Sequence, residues 1–206
     1  MNVVFDFGAV VFSWKPQELV RAAFPERAAT PEQARALAEA LFHHDDWQNF
    51  DRGTIAQHEV VARAAQRLAL QPAAVEALVA DIPSRLTPIP ETVALLQRLR
   101  ERRDRQADLR LYYLSNMPEP YARVLEQRHD FLQWFDGGLF SADVRLIKPQ
   151  PDIFRLLESR HGLAPARTVF IDDLPANVDA ARRHGWHAIH FESASQLAPQ
   201  LAAHID

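Results

Sequence analysis

Val3-Val4-Phe5-Asp6-Phe7-Gly8-Ala9-Val10-Val11 is an apolar run that stops at one aspartate, turns through a glycine and resumes. A strand built only of Val and Phe is a strand buried on both faces, the kind that fills the middle of a parallel sheet. A carboxylate at its end is costly unless something pairs with it. Asp and Gly are also ordinary turn residues, so this stretch alone leaves a capping role and a chemical role equally open. The remaining chain decides between them.

The 206 residues suffice for one domain with a full core, or one domain carrying an insert. With 48% hydrophobic and 24% charged residues, the composition is that of a globular protein. A formal net charge of −4 argues against a nucleic-acid partner or an anionic membrane surface. With no cysteine, disulfides, thiolate metal sites and cysteine nucleophiles are excluded. No apolar run approaches the roughly 20 residues that span a bilayer. No basic leader precedes the first strand, so a cytoplasmic location is the expectation. Lysine occurs only at Lys15 and Lys148; every other cationic side chain of this type is arginine.

From Gln17 to about Leu86 the pattern is helical. A short helix runs from Gln17 to Ala23. Thr30-Pro31-Glu32-Gln33 is a helix start with Thr as N-cap, Pro at the first position and Gln33 at the capping-box position. Asp51-Arg52-Gly53 is a turn, with Thr54 as the cap of a helix reaching about Leu68. Gln71-Pro72 opens another, to about Val79. These form a small helical bundle inserted after the first strand. From Pro88 the rhythm becomes strand–helix alternation. A helix over Pro90–Arg103 turns Val93, Leu96 and Leu99 inward; strands follow over Leu109–Leu114, Gly137–Phe140, Thr168–Ile171 and His187–Phe191. The helix before the last of these ends at Gly185, a C-cap position. Such alternation predicts an α/β, Rossmann-like parallel sheet flanked by helices. Residues 1–16 and 87–206 are then the core and 17–86 a helical cap.

Ligands of open parallel sheets bind beyond the carboxyl ends of the strands. There the sequence sets Asp6, then Ser115-Asn116, then Lys148 in the loop after the third strand, then Asp172-Asp173. Each alone has a structural explanation as turn, cap or surface charge. Together on one edge they make a site. Clustered aspartates suit a hard divalent cation, and Mg²⁺ takes one or two carboxylates along with phosphate oxygens. Ser115 and Lys148 supply a donor and a compact positive charge for an anion. Asp6 can then act as a carboxylate nucleophile.

These residues resemble the haloacid dehalogenase superfamily of phosphohydrolases, in four motifs spread over the whole chain. They are Val4–Val10; Tyr113-Leu114-Ser115-Asn116; Phe135–Gly138 through Ser141 to Lys148–Phe154; and Val169–Asn177 followed by Ala180 and Gly185. The resemblance implies Asp6 as nucleophile and Mg²⁺ ligand, the Gly8 carbonyl and Asp172 as further ligands, and Asp173 as ligand or supporting group. Ser115, the Asn116 amide and Lys148 would hold the phosphate. It also implies that segment 17–86 closes over the site and selects a small phosphorylated substrate, with the protein a monomer or homodimer. The family's phosphatases place a second aspartate two residues after the nucleophile as general acid/base. Here that position is Gly8. This Asp-x-Gly form, and the turn Phe50–Ile55, are similar to the α-D-glucose-1-phosphate phosphatase subgroup, and a sugar 1-phosphate tolerates a missing acid best. Trp47, Phe50 and Arg52 are the cap residues expected to face the site, with a bundle-core role for the aromatics as the alternative. His43-His44 and the set His184, His187 and His190 could suggest a metal site, but the latter run from a helix end into a strand without sharing one face and are read as structural or solvated.

Three other readings compete. An L-2-haloacid dehalogenase also lacks the second aspartate, but needs no metal and keeps no Asp-Asp pair in the fourth motif. A receiver domain has similar residues with its acidic pair first in the chain. A relative without activity would bind only a ligand or partner.

Overall fold

The computed structural model describes residues 1–205. Its centre is a five-stranded, wholly parallel sheet in the order β3-β2-β1-β4-β5. The strands are β1 (Asn2–Phe5), β2 (Arg110–Ser115), β3 (Gly137–Phe140), β4 (Thr168–Asp172) and β5 (His187–His190). The all-apolar first strand takes the middle position. Val3 and Phe5 point into the apolar cluster on one face, and Val4 into the cluster on the other. All three are fully buried, each contributing roughly 1.5–3 kcal/mol. Phe5 lies opposite Tyr113 on β2 and Ile171 on β4. The Asp6 N–H donates to the Ile171 carbonyl at 2.9 Å. This register brings the carboxyl ends of β1, β2 and β4 level.

Five helices separate β1 from the remaining core: α1 (Pro16–Ala23), α2 (Pro31–Phe42), α3 (Asp45–Asp51), α4 (Gln57–Leu68) and α5 (Pro72–Arg85). The capping box at Thr30 forms in both directions, Gln33 N–H to Thr30 Oγ1 and Thr30 N–H to Gln33 Oε1. The later elements are α6 (Pro90–Gln106), α7 (Glu119–Arg128), α8 (Ser141–Val144), α9 (Pro151–His161), α10 (Pro175–Arg183) and α11 (Ala194–Ile205). No helix among the described residues is long and apolar enough to cross a membrane.

Several local expectations need correction. Thr54 does not cap α4. Its hydroxyl donates to the Asn49 carbonyl at 3.0 Å, and Ala56 takes the N-cap position with Glu59 accepting from its N–H. The run before Gly53 is a separate helix, α3, because His44 Nδ1 accepts from the Asp46 N–H and starts it. Helix α5 continues past Val79 to Arg85, through Pro83, because Val75, Leu78, Val79 and Ile82 keep one buried stripe. On α6 the inward residues are Thr92, Leu95, Leu96 and Leu99, with Val93 half-buried. Strand β2 includes Ser115.

The inserted helices share one continuous apolar cluster with the β1 face that holds Val3 and Phe5; Leu37, Val60 and Val79 belong to it. Polar contacts stitch the seam. The Ser141 hydroxyl, at the start of α8, donates to the Asp51 carbonyl at the end of α3 and accepts from the Met117 N–H at 2.8 Å. Tyr121 on α7 donates its hydroxyl to the Val79 carbonyl at 2.7 Å and meets Phe50 edge-on.

Gly53 closes this seam with φ +73°, and a Cβ there would lie 2.8 Å from the Ala142 carbonyl oxygen. Gly162 has a similar φ of +65° with open space around it. Gly162→Ala should therefore cost only the left-handed conformation, about 1–2 kcal/mol. Gly53→Ala must also move backbone. Denaturant titration should show the larger loss for Gly53→Ala; equal losses would mean that the close approach to α8 does not constrain the seam.

Candidate active site

Lys148 is the organising group. Its Nζ lies 2.9 Å from Asp6 Oδ1 and 2.6 Å from Asp172 Oδ2. All three side chains are almost wholly buried. Burial alone would lower the Lys148 pKa, but the Asp172 and Asp6 carboxylates outweigh it and hold the ammonium charged. Buried ions persist only when paired, and removing one partner costs about 3–5 kcal/mol. The backbone of Lys148 is fixed as firmly as its side chain. Asn116 donates from Nδ2 to the Lys148 carbonyl and accepts at Oδ1 from the Lys148 N–H, both at 2.9 Å. Asn116 lines the cavity described below, yet its side-chain amide is committed to positioning the lysine.

Asp172, the last residue of β4, is held in turn. Its Oδ1 accepts from the Leu174 N–H at 2.8 Å and from Asn177 Nδ2 at 3.0 Å. The turn role open to Asp172 in the sequence is thus real, and coexists with the ion pair. Asp6 uses Oδ1 for the Phe7 N–H, at 2.7 Å, and for Lys148. Its Oδ2 has no protein partner among the described residues. Carboxylate oxygens of Asp6, Asp172 and Asp173 all lie within 4.8 Å of one another.

Asp6, Lys148 and Asp173, though not Asp172, face a cavity of about 170 Å³ between the sheet edge and the inserted helices, lined also by Gly8, Trp47 and Asp51. It shares Trp14, Ile82 and Leu86 with a larger cavity of about 800 Å³. The four charged residues of that larger space pair with one another, Lys15 with Glu18 and Arg85 with Asp81, so it offers no free charge for an anion.

Not every residue singled out in the sequence reaches the smaller cavity. Ser115 is buried at the end of β2 and is not among the lining residues. Arg52 is not among them either; its guanidinium bonds Asn49 Oδ1 at 3.0 Å. Trp47 lines the cavity while packing edge-on between Phe42 and Phe50, so its core and site roles coincide. Phe50 is buried against Trp47 and Tyr121. His184 bonds Glu158, His190 bonds the Asp173 carbonyl and His44 starts α3, all structural roles, whereas His43 lines the cavity. Sequence reasoning assigned no role to Asn177, although it lies on the first turn of α10 in the fourth motif. Asp51 it read only as part of a turn.

Burial raises Asp6 to about 7, with Asp172 and Asp173 adding to the rise and Lys148 opposing it. Asp173 rises to about 6, first by burial and then by Asp172. Asp51 is raised well above the ordinary carboxylate range, by burial and then by Asp6. Four carboxyls thus surround one ammonium.

A family description, haloacid dehalogenase-like hydrolase, matches residues 2–185. The chain belongs to the haloacid dehalogenase-like hydrolases. It is 23% identical over 198 residues to the sesquiterpene phosphatase astK of Aspergillus oryzae, covering 96% of this chain and 93% of that one. Among solved structures it is similar to an enzyme of the same family from Bacteroides thetaiotaomicron, bt-2542, in complex with magnesium and inorganic phosphate. The TM-score is 0.71 at 20% identity, over 96% of this chain and 98% of that one. It is also similar to the L-2-haloacid dehalogenase of Xanthobacter autotrophicus, with a TM-score of 0.65 at 23% identity, over 98% and 82% of the two chains. Identities this low establish the fold alone. Only the site can choose between their chemistries.

In this hydrolase the donor set fits a hard divalent cation. Three clustered carboxylates outnumber their single buried ammonium, and Asp6 and Asp173 resist ionising beside one another. A raised carboxyl pKa makes the folded state hold its proton longer than the unfolded chain does. Stability of the metal-free protein therefore falls as pH rises from about 4 to about 7. Mg²⁺ at 100 times its Kd should restore about 2.7 kcal/mol, raising the Tm by roughly 5–10 °C for a chain of this size. Differential scanning fluorimetry should show the larger shift at pH 8 than at pH 5.5, and none in Asp172→Asn. A shift independent of pH would contradict the carboxylate cluster as the cation site.

Proposed function

We propose that this hydrolase is a Mg²⁺-dependent phosphatase of small phosphorylated metabolites that works through an aspartyl-phosphate on Asp6. The observation that carries the reading is the Lys148 ammonium locked between Asp6 and Asp172 beside a third carboxylate, Asp173. Asp6 Oδ1 is held by Lys148 and the Phe7 N–H, which leaves Oδ2 as the attacking oxygen. Lys148 favours the ionised form of Asp6 against the effect of burial and offsets its repulsion toward an incoming phosphate dianion. Asp6, Asp172, Asp173 and the Gly8 carbonyl would hold the cation. When bound, Mg²⁺ supplies positive charge for the nucleophile and the transferring phosphoryl group. The Asn116 main chain is the further phosphate donor of this reading, and Ser115, buried at the end of β2, serves only if the phosphate reaches past the cavity lining. Segment 17–86 is its cap, with Trp47, which lines the cavity, as the cap's contribution to substrate choice, while Arg52 is engaged by Asn49.

A cavity of about 170 Å³ suits a small ester, below the roughly 300–1,000 Å³ of drug-sized sites. Gly8 brings no proton donor of its own, so an ester must either have a stable leaving group, for which a sugar 1-phosphate is the first candidate, or draw its proton from another group in the cavity. The metal-independent dehalogenase reading is disfavoured by Asp173, an extra acidic group that attack on carbon does not need.

Release of phosphate from p-nitrophenyl phosphate and from a sugar-phosphate panel should require Mg²⁺ and stop on chelation. Asp6→Asn should fall to background. Full activity in Asp6→Asn, or halide release from 2-haloacids without Mg²⁺, would overturn the reading.

A further inference from the structure

Gly8 stands where a general acid is expected, and the space beside it is open: a Cβ built there meets nothing within 4 Å. The cavity nevertheless contains a fourth carboxyl, which comes from the inserted helices. Asp51 is the last residue of α3 and lines the same cavity as Asp6 and Gly8. Its main chain is pinned across the seam by the Ser141 hydroxyl, which donates to the Asp51 carbonyl. Its side chain has a different situation from the other site aspartates. Asp6 and Asp172 are tied to Lys148 and to backbone N–H groups. The Asp51 carboxyl makes no hydrogen bond or ion pair with any described residue, and it lies outside the group of three carboxylates that could share a cation.

We infer that Asp51 is the general acid/base of this enzyme, a carboxyl delivered by the cap in place of the missing side chain at position 8. The inference rests on the phosphatase reading above. In the first step Asp6 Oδ2 bonds to phosphorus and the P–O bond to the leaving group breaks. The departing oxygen takes the proton of the Asp51 carboxyl and leaves as the alcohol. In the second step a water attacks the phosphorus of the aspartyl-phosphate and gives its proton to the Asp51 carboxylate. Inorganic phosphate and free Asp6 result, with Asp51 protonated again.

The surroundings of Asp51 suit a carboxyl that carries a proton. It sits at the carbonyl end of α3, where a negative charge is disfavoured. Around it the cavity wall is apolar or aromatic, with Trp47 of its own helix and Tyr121 of α7. The other charged and titratable groups sharing the cavity are Asp6, Lys148, Asp173, His43 and the Tyr121 phenol. Burial and then the Asp6 charge both favour the neutral form, against Lys148. One consequence is a dependence on closure: the acid is present only while the seam at Ser141 and Gly53 holds the cap against the core.

The test is the dependence of kcat/KM on the leaving group, because that ratio reports the steps through release of the alcohol. Wild type should hydrolyse alkyl and phenyl phosphates with only a modest penalty relative to p-nitrophenyl phosphate. Asp51→Asn should lose on the order of 10²–10⁴-fold on the poor leaving groups and far less on p-nitrophenyl phosphate. The double variant Asp51→Asn/Gly8→Asp should regain the poor esters, and inhibition by inorganic phosphate should survive in Asp51→Asn. An equal loss on every ester would make Asp51 a binding residue and overturn the inference. So would a steep leaving-group dependence in wild type, a result that needs no variant to fold. If wild type hydrolyses no phosphate ester at all, the phosphatase reading itself fails, and that outcome is distinct from the other two.

Discussion

A single buried ammonium, Lys148 Nζ, sets the terms for the whole catalytic edge. It lies within 3 Å of Asp6 and of Asp172, so it joins the ends of β1 and β4 and fixes both carboxylates at once. Neither acid would be stable there without it, and it would be unstable without them. The neighbouring structure serves this contact. Asn116 clamps the Lys148 backbone, Asn177 and the Leu174 N–H hold Asp172, and the Phe7 N–H holds Asp6. An arginine would not fill this role. Its planar fork is built for bidentate pairing, whereas here one point charge is shared between two acids converging from different strands. In a chain that otherwise uses arginine almost throughout, this explains why a lysine stands at 148.

The same contact leaves a charge imbalance. One cation cannot neutralise Asp6, Asp172 and Asp173, so the site suits a further hard cation and then a phosphate. It also separates the roles of the carboxyls by environment. Asp6 is tied to the lysine, Asp172 accepts from Lys148, Asn177 and the Leu174 N–H, and Asp51 lines the cavity from the inserted helices with no hydrogen-bond or ion-pair partner among the described residues. Burial raises the pKa of both Asp6 and Asp51, but only Asp6 is paired with the Lys148 ammonium, and carboxyls set apart in this way can act as nucleophile and acid.

Much of this was legible in the sequence because strong local rules agreed. An all-apolar strand could only be central, the strand–helix alternation could only be a parallel sheet, and the residues after each strand then had to share one edge. Asp6, Asn116, Lys148, Asp172 and Asp173 follow from that placement. What the sequence did not reveal depends on distant packing. Helix α3 and the extension of α5 through Pro83 are held by burial against neighbours, and so override weak or contrary local signals. Arg52 looked like a site residue because it is charged and follows an aromatic, yet its side chain turns to Asn49. Asp51, one residue earlier, is the group the α3–α8 seam directs inward, and a one-residue shift on a helix end changes which side chain meets the cavity. The committed state of the Asn116 side chain was likewise hidden, since its partner is a main chain 32 residues away.

The claim on which everything else rests is that Asp6 bonds to phosphorus during turnover. Acid quenching of the Mg²⁺-loaded enzyme in mid-turnover with p-nitrophenyl phosphate, followed by peptide mass mapping, tests it directly. The account predicts a hydroxylamine-labile phosphoryl group on the peptide that carries Asp6. Phosphate release at an undiminished rate, with that peptide never phosphorylated, would contradict it.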